Sequence, residues 1–270
     1  MMTKYHSDQD RAMRRIHLDT DIGGDTDDLC ALAMLLGWPG VELVGGLRAG
    51  LARYALRLAG QESVPVMAGA DGSLGGYRVP PGFSELDRYW PEPVAPEPSP
   101  PGAALALLAR SVEMGATVVG VGPWTNLALL EATRPGLLAS TQPVVLGGYV
   151  RSVRAGLPAW EPDMDYNVQQ DTLAARIVWE RCDPLVVQFS VSLEASLREA
   201  HLLRLREGGA LARLIARQGE LHGAVSDMRR VGREHPGLPD DLLNFHYDPL
   251  ACAVAVGWDG ARVEYGSRRD

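Results

Sequence analysis

The chain has 270 residues, of which 46% are hydrophobic and 22% are charged, and this composition excludes a wholly disordered chain. The formal net charge of −8 argues against binding to nucleic acid or to an anionic membrane surface. No apolar run reaches the roughly 18–20 residues of a membrane-spanning helix, so the sequence predicts none.

The number of lysines limits the possible catalytic mechanisms, and the number and spacing of the cysteines indicate the cellular compartment. Of the 26 basic residues only Lys4 is a lysine, which excludes P-loop proteins, Schiff-base enzymes, protein kinases and Ser–Lys hydrolases. The 3 cysteines are too far apart for a CxxC pair or a disulfide framework, and a reducing cytoplasm is the expected location. Residues 1–15 form a predicted polar tail without the apolar stretch of a secretory signal, and residues 16–270 form a single predicted domain.

Short β-like runs alternate with helical runs along the chain. The predicted strands are residues 16–18, 41–44, 64–67, 116–121, 143–146 and 185–189. The predicted helices are residues 29–36, 51–59, 103–114, 127–132 and 172–180. This alternation predicts an α/β fold with an open, mostly parallel β-sheet flanked by helices on both faces. Several of the strands are unbroken apolar runs, as expected when helices cover both faces.

Three segments interrupt this pattern. Residues 69–101 hold 8 of the 19 prolines and the aromatic residues Tyr77, Phe83, Tyr89 and Trp90. They predict a long surface loop that is either a spacer with an aromatic cluster or a lid over a site. Residues 151–163, which include Trp160, are a second candidate lid. Residues 201–241 read as helical and exposed, with many Arg and Glu residues.

An acidic cluster follows the first predicted strand. Its five aspartates are Asp19, Asp21, Asp25, Asp27 and Asp28. They lie at the carboxyl end of a strand, where open α/β sheets bind ligands. Capping of the next helix accounts for one or two of them, but five like charges beside a buried strand need a counter-charge. Oxygen ligands of this kind predict a hard divalent cation, either Ca²⁺ or Mg²⁺.

Two other acidic motifs were compared with this cluster. An EF-hand loop is excluded because the twelfth position counted from Asp19 is Cys30, where that loop needs Glu. A strand ending in Asp-x-Asp also resembles the haloacid-dehalogenase-type phosphatases, in which the first Asp is the nucleophile. That alternative is weaker for two reasons. Ile22 follows the Asp pair where those enzymes need Thr or Ser, and the downstream Lys or Arg that they also need cannot be a lysine here, because Lys4 is the sole lysine.

The chain resembles the inosine–uridine-preferring nucleoside hydrolase family in this cluster, where D-T-D-I-G-G-D-T-D-D stands for the family's D-x-D-P-G-x-D-D-A. Further motifs follow in the family's order. They are VPVMAG at 64–69, GPWTNLA at 122–128, LGGY at 146–149, DYN at 165–167 with Asp171, and DPLA at 248–251. The resemblance implies a Rossmann-like nucleoside hydrolase fold and a Ca²⁺-dependent enzyme that splits a ribonucleoside, or a related N-riboside, into base and ribose.

The resemblance also implies roles for individual residues. Asp21 would orient and deprotonate the attacking water. The Ca²⁺ ligands would be Asp21, Asp28, Asp248 and the carbonyl of Val121, with Asp25 as a further candidate. Substrate would be bound by Asp27, Asn126, Asp165 and Asn167. The candidates for stacking on the base are Trp90, Trp160 and Tyr247, of which Trp160 is assigned to the substrate. The family often forms dimers or tetramers, so a homo-oligomer is expected by analogy.

The chain departs from the family at two places in this site. The family has His immediately before the C-terminal Asp, where it protonates the leaving base. Here Tyr247 takes that position and His246 precedes it, so both are candidate catalytic residues. The Asn that follows the second strand in the family is missing from residues 44–51. These departures leave a non-catalytic riboside- or metal-binding member of the same fold as the alternative hypothesis.

Overall fold

The computed structural model describes residues 13–46, 49–75, 89–262 and 264. In these ranges five parallel strands form one sheet in the order β2-β1-β3-β4-β5, and two further strands form an antiparallel pair. The strands are β1 (Arg14–Asp19), β2 (Val41–Gly46), β3 (Thr117–Gly120), β4 (Val144–Leu146), β5 (Leu185–Val187), β6 (Ser196–Arg198) and β7 (Leu242–Phe245). The predicted α/β class with a parallel sheet is confirmed.

Helices fill the connections between the strands. They are α1 (Asp27–Gly37), α2 (Ala49–Leu58), α3 (Ala103–Glu113), α4 (Thr125–Thr133), α5 (Tyr166–Gln170), α6 (Thr172–Cys182), α7 (Phe189–Ser192), α8 (Glu199–Glu207), α9 (Ala210–Val225), α10 (Met228–Glu234) and α11 (Tyr247–Ala255). Across the described part of the chain, none of them has both the length and the apolar character needed to span a bilayer.

The core lies on both faces of the sheet, as predicted. Successive side chains of a strand point to opposite faces. Val119 of β3 accordingly packs in one apolar cluster with residues of α1, α2, α9 and α11, whereas Val118 packs in another with residues of α3, α4 and α6. Both valines are fully buried. Because helices cover both faces of the sheet, strand side chains are buried on both sides, and the strands therefore appear in the sequence as continuous apolar runs.

Residues 64–67, predicted as a strand, have no regular structure. The Val66 carbonyl accepts a hydrogen bond from the Arg53 guanidinium at 2.6 Å, and the Ala68 N–H donates to Ser99 Oγ at 2.7 Å. A cavity of about 480 Å³ lies between residues 63–65 and the side of β2. The prediction is wrong because the segment does not join the sheet edge: its Val66 carbonyl bonds to a side chain, and its Val64 N–H bonds to the nearby Gln61 carbonyl at 3.1 Å.

Three smaller differences separate the observed elements from the predicted ones. β1 begins at Arg14, inside the predicted tail, whose residues 1–12 lie outside the described residues. The predicted strand 185–189 ends at Val187, and Phe189 opens the short helix α7. Region 201–241 is largely helical as predicted, but it is not exposed throughout, because Leu211, Leu214 and Ile215 of α9 pack in the core. It is followed by β7, which pairs with β6 in an antiparallel ribbon that the sequence did not indicate.

The proline-rich segment is described only in part, because residues 76–88, including Tyr77 and Phe83, lie outside the described residues. Trp90 is buried in the core, where its ring meets Tyr54 edge-on with centroids 5.6 Å apart. Tyr89 lies against the ring of His222 at 5.9 Å. Trp90 therefore packs in the core. Of the three candidates for stacking on the base, Trp90, Trp160 and Tyr247, it is the one that lies away from the candidate site.

Candidate active site

The carboxyl end of β1 leads into the candidate site. Asp19, the last residue of β1, is buried, and its Oδ1 accepts a hydrogen bond from Asn126 Nδ2 at 3.1 Å. Its other carboxylate oxygen is buried and has no hydrogen-bond partner among the described residues. Burial raises the pKa of Asp19 to about 8, the bond from Asn126 opposes this, and the neighbouring charge of Asp21 adds to it. β1 therefore ends in a carboxyl group that is costly to ionise.

The acidic cluster comes next, in the turn and in the first turn of α1. Carboxylate oxygens of Asp25, Asp27 and Asp28 all lie within 4.8 Å of one another. The Thr20 hydroxyl donates to Asp28 Oδ1, and the Asp28 N–H donates to Asp27 Oδ1 at 3.1 Å. The side chains of Asp27 and Asp28 therefore turn towards each other and are not spread over the helix surface.

Asp248 joins this cluster from the other end of the chain. It lies in the first turn of α11, and its backbone N–H donates to Asp27 Oδ2 at 3.4 Å. Its carboxyl group is hydrogen-bonded to that of Asp28. Burial, and then the neighbouring carboxylates, raise the pKa of Asp28 to about 8 and those of Asp27 and Asp248 well above the usual range. Asp21 contributes to all three shifts.

These residues fit a divalent cation. The donors are carboxylate oxygens, which hard cations such as Ca²⁺ and Mg²⁺ prefer. Like charges held this close disfavour one another's ionised forms, as the raised pKa values of Asp27, Asp28 and Asp248 indicate. A cation at this place would supply the missing positive charge, so the cluster could hold a metal ion.

The ends of β3 and β4 close the cluster on the side of α5. Asn167 Nδ2 donates to the Val121 carbonyl at 2.7 Å and lies 3.4 Å from that of Leu146. Asp165 caps α5 by accepting from the Val168 N–H at 3.2 Å. A Cβ at Gly122 would lie 3.0 Å from Asp21 Oδ1, so glycine is required for this close approach. The predicted residues Asp21, Val121 and Asn167 are thus brought to one edge of the sheet.

Four aromatic rings, here called the aromatic cluster, lie next to the acidic residues: Trp160, Phe189, Phe245 and Tyr247. Phe189 stacks on Trp160 with centroids 6.0 Å apart and on Tyr247 at 5.9 Å. Phe245 meets Trp160 edge-on at 5.6 Å and Tyr247 at 5.5 Å. Burial, followed by the charges of Asp25, Asp27 and Asp248, raises the pKa of Tyr247 well above its usual value. Its phenol therefore keeps its proton throughout the physiological range.

Sequence reasoning identified Trp160 and Tyr247 but missed the two phenylalanines. Phe189 stands at the end of a predicted strand, and Phe245 stands two positions before Tyr247. Phe189 lies just beyond the carboxyl end of β5 in the parallel sheet, whereas Phe245 is the last residue of β7 in the antiparallel pair. For Phe189 the available signal was an aromatic residue at the carboxyl end of a predicted parallel strand, whereas no such signal marked Phe245.

His246, the second candidate catalytic residue, is partly buried beside Tyr247. Its backbone N–H donates to the Ala195 carbonyl at 2.8 Å, and its buried Nδ1 has no hydrogen-bond partner in the part of the chain that the structure describes. Burial lowers the pKa of His246 to about 4, with His201 acting in the same direction and Asp25 against it. The imidazole is therefore neutral near pH 7.

Two predicted substrate ligands already have protein partners. Both polar atoms of the Asn126 amide are used, since Nδ2 donates to Asp19 and Oδ1 accepts from the Ala70 N–H at 3.0 Å. The Asp165 carboxylate accepts from Val168 and also from the Gly148 N–H at 2.5 Å. Their part in substrate binding stays a prediction.

Known proteins resemble both the sequence and the fold. The pyrimidine-specific ribonucleoside hydrolase RihA of Salmonella paratyphi C is 32% identical over 46% of this chain and 41% of its own length. The RihA of Klebsiella pneumoniae subsp. pneumoniae is 30% identical over 64% of this chain and 56% of its own length. The matched stretches thus span about half of these curated relatives.

Two solved structures share the fold at lower identity. The purine-preferring ribonucleoside hydrolase of Gardnerella vaginalis has a TM-score of 0.73 and 23% identity, with 90% of this chain and 80% of that one covered. A plant nucleoside hydrolase, PpNRh1, has a TM-score of 0.72 and 21% identity, with 91% and 79% covered. The sequence model of the inosine-uridine preferring nucleoside hydrolases matches residues 16–267, and the chain therefore belongs to this family.

Proposed function

We propose that this protein hydrolyses the N-glycosidic bond of a ribonucleoside, or of a related N-riboside, with Ca²⁺ as its metal. The observation that carries the proposal is the meeting of the acidic cluster at the start of α1 with Asp248 from α11, beside the aromatic cluster. Negative charge stabilises the oxocarbenium-like transition state of glycosidic cleavage, and aromatic rings suit a planar base. Membership of the nucleoside hydrolase family supports this choice over the phosphatase alternative.

We assign the cation to Asp21, Asp28, Asp248 and the Val121 carbonyl, with Asp25 as a further ligand. When bound, the cation would neutralise the carboxylates and make a nearby water more acidic. Asp21 acts as the base that accepts the proton from that water. Its position against Gly122 holds its carboxylate at the end of β3.

The ribose and the base are assigned to different parts of the site. Asp27, Asp165 and Asn167 present carboxylate and amide groups that bind ribose hydroxyls. Trp160 and Tyr247 provide aromatic faces for the base, since both belong to the aromatic cluster. The RihA relatives are named as pyrimidine-specific, so uridine and cytidine are the first substrates to test.

Protonation of the leaving base is assigned to Tyr247, with His246 as the second candidate. The raised pKa of Tyr247 keeps the phenol protonated, so it donates a hydrogen bond to the departing base and does not act as a base itself. His246 is neutral near pH 7 because burial lowers its pKa to about 4. In that form it carries one ring proton and one lone pair.

The test is release of free base from a panel of uridine, cytidine, inosine and adenosine, with added Ca²⁺ and with a chelator. We expect Ca²⁺-dependent release from at least one nucleoside. Tyr247 in place of the family's His favours the alternative of a non-catalytic riboside-binding protein. Tight nucleoside binding without base release over hours would establish that alternative and overturn the proposal.

A further inference from the structure

A short segment beside the candidate site, residues 69–75, is held at both ends by buried or partly buried side chains. Near its start, the Ala70 N–H donates to Asn126 Oδ1 at 3.0 Å. At its end, the Leu74 N–H donates to Asp171 Oδ2 at 2.7 Å. Gly72 lies in the exposed turn between these two attachments.

Asn126 connects the first attachment to the acidic cluster. The same amide that accepts from Ala70 donates to Asp19 Oδ1 at 3.1 Å. Asp19 is the last residue of β1, two positions before Asp21. One side chain therefore joins residue 70 to the strand end from which the acidic cluster begins.

Asp171 makes the second attachment, and each of its two carboxylate oxygens accepts two hydrogen bonds. It is fully buried, and its Oδ2 accepts from Leu74 and from the Thr125 hydroxyl at 2.8 Å. Its Oδ1 accepts from the Ala174 N–H at 3.0 Å and from the Gly75 N–H at 3.3 Å. Among the described residues Asp171 has no basic partner, and a carboxylate that accepts four hydrogen bonds in this way is a specific clamp for the donors around it.

The two anchors come from elements that also supply the site. Thr125 and Asn126 open α4, directly after the turn that contains Val121 and Gly122. Asp171 caps α6 and follows α5, which carries Asn167. A shift of residues 69–75 would therefore act on the same helix ends that hold the site residues.

We propose that Asn126 and Asp171 are positioning residues that fix the two ends of segment 69–75 as a rigid border of the substrate pocket. This rests on the proposed function, and it gives Asn126 a role through Asp19 and Ala70 in place of direct substrate binding. The carboxylates assigned to the metal, those of Asp21, Asp28 and Asp248, lie in the turn after β1 and in α1 and α11, outside the segment and outside the helices α4 and α6 that anchor it. Loss of this border therefore weakens nucleoside binding and leaves metal binding intact.

Glycines in the segment allow a direct test. A Cβ at Gly69 would lie 2.7 Å from Asn126 Nδ2, and a Cβ at Gly75 would lie 2.9 Å from Leu173 Cβ. Gly69→Ala and Gly75→Ala therefore push the two ends away from their anchors. A Cβ at Gly72 meets no described residue within 4 Å, so Gly72→Ala is a matched control that adds the same methyl group in the same segment.

For Gly69→Ala and Gly75→Ala we expect KM for the nucleoside to rise roughly tenfold, as for the loss of one or two hydrogen bonds, with kcat within about twofold. The Ca²⁺ affinity and the melting temperature should match those of Gly72→Ala. Equal KM values in all three variants would overturn the proposal. A loss of Ca²⁺ affinity or of thermal stability that accounts for the change in KM would also overturn it, since the role would then be structural.

A second measurement does not depend on turnover. Hydrogen exchange should show protected amides at Leu74 and Gly75 in the wild-type protein and faster exchange there in Asp171→Asn, and unprotected wild-type amides would overturn the proposal. If the wild-type protein releases no base, the proposed function fails. The affinity of Ca²⁺-loaded protein for the nucleoside then replaces KM in the same comparison, so the two failures are distinguishable.

Discussion

The backbone nitrogen of Asp248 lies 3.4 Å from Asp27 Oδ2, although the two residues are 221 positions apart in the chain. The contact exists because α1 and α11 both begin at the carboxyl edge of the sheet and pack together behind it. The N-terminal end of a helix favours negative charge, and both helices place aspartates there. The candidate metal site thus combines residues from near the two ends of the described chain.

The first prediction concerns Asp248. Because its carboxyl group bonds to that of Asp28 within the acidic cluster, Asp248→Asn should weaken Ca²⁺ binding by more than the roughly 10- to 100-fold that loss of a supporting residue causes. Calorimetric titration of metal-stripped protein measures this. Asp259→Asn, at an exposed position after α11, is the control. Equal affinities in the two variants would show that Asp248 is not a ligand.

The second prediction concerns Asp21, the proposed base. Asp21→Asn should lower kcat roughly 10²- to 10⁴-fold, the usual contribution of a general base. The melting temperature should stay close to that of the wild-type protein, because relief of charge repulsion offsets the lost carboxylate. Base release from uridine or inosine provides the rate. Wild-type turnover in this variant would remove Asp21 from the mechanism.

The third prediction separates the ring of Tyr247 from its hydroxyl. Tyr247→Phe keeps the ring that stacks on Phe189 at 5.9 Å, so KM should change little while kcat falls by about 100-fold or more. Tyr247→Ala should in addition raise KM roughly 2- to 10-fold, as for the loss of an aromatic contact. Steady-state kinetics on one nucleoside measures both. An unchanged kcat in Tyr247→Phe would move proton donation to His246.

The fourth prediction is that Ca²⁺ binding releases protons. The pKa of Asp28 is raised to about 8 in the metal-free protein, so this carboxyl group is largely protonated at pH 7. A bound cation favours the ionised form, and the affinity for Ca²⁺ should therefore rise as the pH increases from 7 to about 9. Titrations in two buffers with different ionisation enthalpies count the protons released. A buffer-independent enthalpy would contradict the predicted release.

The fifth prediction concerns the effect of pH on stability through His17. Its Nδ1 donates to Ser111 Oγ at 2.9 Å, because the Ser111 hydroxyl donates its own proton to the Leu107 carbonyl. Its buried Nε2 has no hydrogen-bond partner within the described ranges, and burial lowers the pKa of His17 to about 4. The unfolded chain takes up a proton near pH 6.5 and the folded one only near 4, so stability is lost as the pH falls through this window.

Urea unfolding tests this at pH 7 and pH 5. The shift of His17 should cost the wild-type protein about 2 kcal/mol of unfolding free energy between these values. In His17→Gln that contribution disappears, so the variant should show a smaller difference between the two pH values. The same replacement at partly buried His235 is the control. Parallel pH dependences in wild type and His17→Gln would refute the assignment.

The sequence by itself determined the features that arise within short stretches of chain. The apolar run that becomes β1, the aspartates that follow it and the good helix formers of α1 lie within residues 14–37. A strand, a turn and a helix in that order place carboxylates at a sheet edge whatever the rest of the chain does. The α/β class and the acidic cluster were therefore predictable, and the ordered motifs identified the family.

Only the tertiary structure decided which distant side chains meet. Trp90 and Trp160 look alike as loop residues, yet one packs against Tyr54 in the core and the other joins the aromatic cluster. Residues 64–67 read as a strand, but Arg53 and Ser99 take backbone groups that a neighbouring strand would need. Such outcomes depend on how helices and loops pack around the sheet, and side chains far apart in sequence compete for the same partners there. Short sequence patterns carry no information about which of these distant side chains will make the contact.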